Sequence, residues 1–163
     1  MTKFATRKLI ELRERHSKFR LKVVDVKQIG GGIPNDCAGN ASNEADKNPL
    51  NSRKPGWLVM PFDKVSGTTQ IIQHWWNGDP ENNHFDTTPL IERDVEYVLD
   101  PELMTYFRKH YELLSSMVAA SLLLHQDGKV FAVYDDIHNH RLVVPINDLS
   151  VETIFSFYQN PKI

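Results

Sequence analysis

The chain has 163 residues, of which 40% are hydrophobic and 25% charged, with a formal net charge of −2. That length can bury one compact core without a staple, and the near-neutral charge leaves no electrostatic footprint for a nucleic-acid partner. A single cysteine excludes an internal disulfide and a thiolate-rich zinc site within the chain.

Residues up to about Phe19 read as a helix, because Leu9, Leu12, His16 and Phe19 recur at three- and four-residue steps between charges. The basic character of this stretch reads as a solvated helix face. The run Leu21–Val26 is strand-like, and Gly30, Gly31 and Gly32 break it. A short helix is expected from Asp36 to about Lys47, with Asn35 or Asp36 as N-cap and Asn48-Pro49 as its stop. After a polar connection, Gly56–Phe62 and Thr69–Asn77 read as two strands of an antiparallel hairpin around a turn at 65–68. Gly78–Asn83 is a second turn, and His84–Thr88 a third short strand before Pro89.

From Pro101 the positions Leu103, Phe107, Tyr111, Leu114, Val118, Leu122 and His125 fall on one stripe, which predicts a long amphipathic helix bracing the fold. Asp127-Gly128 then turns into a strand at Val130–Tyr134, with a further strand at Leu142–Pro145 and a final helical turn or two between Val151 and Tyr158. The pattern is α+β. A single domain over 1–163 is expected, with a core in about 20–100 and a C-terminal helix and hairpin in 101–163. The apolar run Met117–Leu124 is far shorter than the ~20 residues that span a bilayer, and no signal-peptide pattern opens the chain. The expectation is a soluble cytoplasmic protein with no membrane partner.

Cys37 is the residue that raises a chemical question. A lone thiol serves as a small buried apolar group, a metal ligand, a cysteine for pairing with another chain, or a nucleophile. Cys37 falls at an expected helix start, where free amides and the helix dipole stabilise a thiolate. A nucleophilic thiol needs a base and a group that orients the base. His74, near the end of one expected strand, and Asp86, in the next, supply both residue types, and neighbouring antiparallel strands bring such side chains within reach. Backbone amides around Cys37, with Gln28 or Gln73 as a side-chain donor, are candidates for an oxyanion site. Asn40 is a candidate substrate contact. Of Trp75 and Trp76, which alternate across their strand, one packs inside and the other flanks the site, with Trp75 taken as the substrate-side residue. Trp57 reads as core. His138 and His140, with His84 as a third histidine, lie in or near polar turns and are not read as a metal site. No cofactor is expected.

Cys37-Ala38-Gly39-Asn40-Ala41, Gly56-Trp57-Leu58-Val59, His74-Trp75-Trp76-Asn77 and His84-Phe85-Asp86-Thr87-Thr88-Pro89, in that order, resemble the transglutaminase-like branch of the papain-fold thiol enzymes. They also resemble small uncharacterised phage-type proteins with the same succession. The resemblance covers residues 30–89. The Asn35-Asp36 pair departs from the aromatic or glycine-containing lead of larger transglutaminases. The resemblance implies a helix-borne cysteine packed on an antiparallel sheet that carries the histidine and aspartate. It also implies a cysteine hydrolase or acyltransferase of amidase, deamidase or protease type acting on a protein or peptide. A non-catalytic binder of a host protein on the same scaffold is the competing expectation.

Overall fold

A computed structural model describes residues 2–90, 92–110 and 119–159. In chain order the elements are α1 (Phe4–Glu14), β1 (Lys22–Val24), β2 (Val26–Gln28), α2 (Cys37–Lys47), β3 (Ser52–Val59), β4 (Thr68–Gly78), β5 (His84–Asp86), β6 (Glu96–Leu99), α3 (Pro101–Lys109), β7 (Ser121–His125), β8 (Val130–Asp135), β9 (Arg141–Ile146) and α4 (Val151–Gln159). The expected α+β class holds. The strands form one sheet in the order β1-β6-β3-β4-β7-β8-β9, with β5 on β4 and β2 on β5. Every pairing is antiparallel except β2 with β5. No helix among the described residues is long and apolar enough to cross a membrane.

The pairings close on themselves. β1 pairs with β6, β6 with β3, β3 with β4, β4 with β5, and β5 with β2. Only Asp25 separates β2 from β1. These strands therefore make a small ring, and β7, β8 and β9 extend from the other end of β4 as an open wing. Successive side chains of a strand point to opposite faces, so the shared strands feed two cores. Trp57, Val59, Ile71, Trp75 and Val98 join Leu9, Leu103, Phe107 and Phe155 of the helices in the larger core. Leu58, Trp76 and Tyr97 meet Val24, Val26 and Leu99 in a second cluster, drawn from the strands of the ring.

Several expectations change. From Pro101, α3 runs to Lys109; Leu122 and His125 lie in β7, and Tyr111, Leu114 and Val118 fall outside the described residues. Ser121–Ile72 and Leu124–Thr69 pairing fixes β7 against β4, and the three apolar residues Leu122–Leu124 fit strand or helix periodicity equally well. The strand expected at 21–26 is two short strands. The hairpin begins earlier than expected, since the polar residues Ser52–Pro55 pair with Trp75–Gly78. β6 was not anticipated, because four residues between charged and Pro-flanked stretches offer too little alternation. The tail forms a nine-residue helix. α1 ends at Glu14, short of Phe19, and its basic face is not wholly solvated. Arg13 is fully buried, donating from Nε to Asp100 Oδ2 at 2.9 Å, from Nη2 to Glu102 at 3.1 Å, and from Nη1 to the Leu149 carbonyl at 2.9 Å.

Candidate active site

The segment before Cys37 is built to start a helix in one place. Gly31 at φ +91° and Asn35 at φ +61° turn the chain through left-handed conformations. Asp36 then caps α2 by accepting from the Gly39 amide at 3.2 Å, which makes Cys37 its first residue. The loop is stitched to the end of β5: the Ile29 amide donates to the Asp86 carbonyl at 2.9 Å, and the Gly32 amide to the Thr87 carbonyl at 2.8 Å. The close approach of the glycine run to the helix occurs at Gly32, where a Cβ would lie 2.6 Å from the Asn40 amide group.

His74 sits on β4 between two ladders along one edge. The β7 ladder ends at Ile72 and the β5 ladder begins at Asn77. Its ring shares a face with Trp76, stacked at 6.3 Å, and meets Tyr97 edge-on at 5.8 Å. Nε2 is 2.7 Å from Asp86 Oδ2. Asp86 is 1% exposed, and its carboxylate also accepts from the Tyr97 hydroxyl at 2.6 Å and from the Thr88 amide at 2.9 Å. Cys37 is partly buried, and its side chain is one of the influences that raise the His74 pKa. With Nε2 engaged by Asp86, Nδ1 is the ring nitrogen left for a further partner.

Burial disfavours a charged imidazole, but the hydrogen bonds to Asp86 and Cys37 and the charges of both outweigh it. The His74 pKa is raised to about 9. The sign of the resulting pH dependence follows. Folding binds this proton more tightly than the unfolded chain, whose histidine titrates near 6.5. The stabilisation is therefore complete below about 6.5 and is lost as pH rises through about 9. Urea unfolding measured across that window is expected to show wild-type stability falling with pH, by on the order of 1–3 kcal/mol, with a flatter profile in His74→Ala.

The remaining candidates divide. Gln28 lies opposite Asp86 in the β2–β5 ladder, and its side chain works to lower the Tyr97 hydroxyl pKa, against burial and Asp86, which raise it. Gln73 does not face His74. It is buried on the other side of β4, where its amide oxygen, oriented to satisfy its neighbours, accepts from Trp75 Nε1 at 3.1 Å. Asn40 is a brace with its polar atoms engaged: Oδ1 accepts from the Ile33 amide at 2.8 Å, and Nδ2 donates to the Ile33 carbonyl at 2.8 Å and to Thr88 Oγ1 at 3.0 Å. It ties the glycine loop and the first turn of α2 to the turn that holds Asp86. Trp75 packs in the main core against Phe107. The indole on the His74 side is Trp76, as strand alternation requires, since it stands two residues from His74. Trp57 is core as expected, and its Nε1 donates to Asp100 Oδ2 at 2.8 Å.

His84 is occupied elsewhere, its Nδ1 accepting from Trp76 Nε1 at 2.9 Å; burial, then Lys54 and Lys22, push its pKa down. Among the described residues no group of three or more His, Cys, Asp or Glu side chains is arranged to hold a metal ion. Sequence reasoning missed Tyr97, because its strand was not read as one. It passed over Thr88, whose role depends on a backbone amide. Comparison with protein-family models, with curated proteins and with solved structures finds no match to this chain.

Proposed function

We propose that the chain is a small cysteine-dependent hydrolase or acyltransferase with a papain-like or transglutaminase-like arrangement, acting on an amide or thioester of a protein or peptide. The observation that supports this reading is the His74 imidazole, bound at Nε2 by Asp86 at 2.7 Å while Cys37 interacts with the same ring. A histidine with its pKa raised to about 9 is an imidazolium at neutral pH, the partner a thiolate needs.

The Cys37 sulfur attacks the acyl carbon, and the carbonyl π electrons move to oxygen. The Gly39 and Asn40 amides are already taken by Asp36, at 3.2 and 2.8 Å, so the Cys37 and Ala38 amides are the donors of the first turn that meet the oxyanion. Collapse of the intermediate breaks the carbon–nitrogen bond as His74 delivers its proton to the leaving amine. A thioester remains. Water, or a second amine, then gives a proton to His74 and attacks the thioester carbon, which releases the sulfur with its bonding pair. Asp86 holds the tautomer and balances the imidazolium throughout. Water makes the chain a hydrolase or deamidase; an amine makes it a transferase.

Alkylation of Cys37 by iodoacetamide tests this. At pH 6 the wild type is expected to react at least about tenfold faster than a free cysteine, whose thiol titrates near ~8.5, and His74→Ala is expected to lose that excess. Equal rates for wild type, His74→Ala and free cysteine would refute the activated thiol and leave the non-catalytic interaction protein as the better description.

A further inference from the structure

Asp86 Oδ2 receives two donors rather than one. His74 Nε2 lies at 2.7 Å and the Tyr97 hydroxyl at 2.6 Å, while Oδ1 is held separately by the Thr88 amide. The Tyr97 contact has the length of a charge-assisted O–H···O bond. Tyr97 itself is fixed by packing: it is 3% exposed, edge-on to Trp76 at 5.2 Å and to His74 at 5.8 Å. Gln28, exposed on β2, acts on the same hydroxyl from outside the buried group, in the direction that lowers its pKa.

We propose that Tyr97 is a positioning residue that shares the negative charge of Asp86 with His74 and so limits how tightly the imidazole holds its proton. The inference rests on the Cys37–His74–Asp86 reading for its catalytic meaning, although its physical content concerns only the pair of residues joined through Asp86. A carboxylate oxygen that gives part of its electron density to a phenol presents less to the facing N–H. His74 must give up a proton to the leaving amine and then take one from water. A carboxylate that gripped the imidazolium too strongly would slow the first of these steps. Tyr97 also prevents Asp86 from turning about its side chain, since donors hold both oxygens. Gln28 favours release of the phenol proton, which makes Tyr97 the better donor to Asp86. The titratable groups that face His74 are Asp86 from β5, Tyr97 from β6 and Cys37 from α2.

Tyr97→Phe removes the hydroxyl and keeps the packed ring. NMR titration of the His74 imidazole, assigned by comparison with His74→Ala, is expected to show its midpoint rising by about half a unit or more in Tyr97→Phe. Gln28→Ala, at an exposed position, is expected to raise it by a smaller amount. The alkaline limb of Cys37 alkylation should move to higher pH with it. A His74 midpoint that is unchanged or lower in folded Tyr97→Phe overturns the proposal. If Tyr97→Phe does not fold, an unchanged or lower midpoint in Gln28→Ala overturns it. Should Cys37 alkylate as an ordinary thiol while the His74 midpoint still rises, the catalytic reading fails and the action of Tyr97 on the His74–Asp86 pair stands.

Discussion

Asp86→Asn is expected to leave His74 neutral at pH 7 and to abolish most of the enhanced reactivity of Cys37. The hydrogen bond to Asp86 is the largest single influence that holds a proton on His74, and it opposes burial, which acts in the other direction. An amide keeps the shape and one acceptor oxygen but removes the charge, so burial then dominates and the imidazole deprotonates. The amide has one oxygen where Asp86 has two, so either the Thr88 amide or the His74–Tyr97 pair is left facing an NH2 that cannot accept. Turnover of an activated ester is expected to fall by about 10³ to 10⁴, the scale on which a nucleophile–histidine–carboxylate group responds to that exchange. An ester assay run beside the NMR titration checks both halves. Unchanged turnover with a neutral His74 would separate acyl chemistry from this imidazole.

The largest effect on stability is expected at Arg13. Its guanidinium and the Asp100 carboxylate are both 0% exposed, and Asp100 also takes the Trp57 indole N–H. Removing one partner of such a pair strands the other charge in the interior. Arg13→Ala should therefore cost about 3–5 kcal/mol in urea unfolding, with a further contribution from the side-chain volume lost. Arg13→Met with Asp100→Asn should restore much of this, because the amide still accepts from Trp57 and the one carboxylate left without its partner, Glu102, is partly exposed. A single substitution that costs less than about 1 kcal/mol would mean that Arg13 reaches solvent. This contact joins α1, the start of α3 and the chain before α4, so its loss is also expected to loosen the helices that cover the main core.

Most of the strands and the α+β class were legible because their patterns are local. Asn35-Asp36, with a run of helix-compatible residues after it, marks the start of α2 to within a residue. The alternation of Ile71, Trp75 and Asn77 against His74 and Trp76 marks β4. That same alternation separates Gln73 and Trp75 from His74 in the sequence itself. What could not be read was non-local. Arg13 looks like any basic residue on an exposed helix, and only its meeting with Asp100, far along the chain, makes it interior. Tyr97 sits in a four-residue strand whose existence depends on β1 and β3 lying on either side of it. Asn40 gives no sign that its amide will span the loop before it and Thr88 beyond β5. The stripe from Pro101 misled because Leu122 and His125 continue the helical spacing by chance, and their pairing with β4 decides the matter.

The two-sided use of β4 makes its phase more consequential than its composition. Shifting the chain by one position against β3 would keep the same hydrophobic content yet present Gln73 and Trp75 to the ring and expel His74 and Trp76 from it. Gly56 stands opposite His74 in that ladder, and a Cβ there would fall 2.0 Å from the Val98 carbonyl oxygen and 2.5 Å from the Trp76 ring. Only a residue without a side chain admits the indole at that one alignment. A glycine with no chemistry of its own thus acts as the index mark by which an imidazole is delivered to the correct side of the sheet.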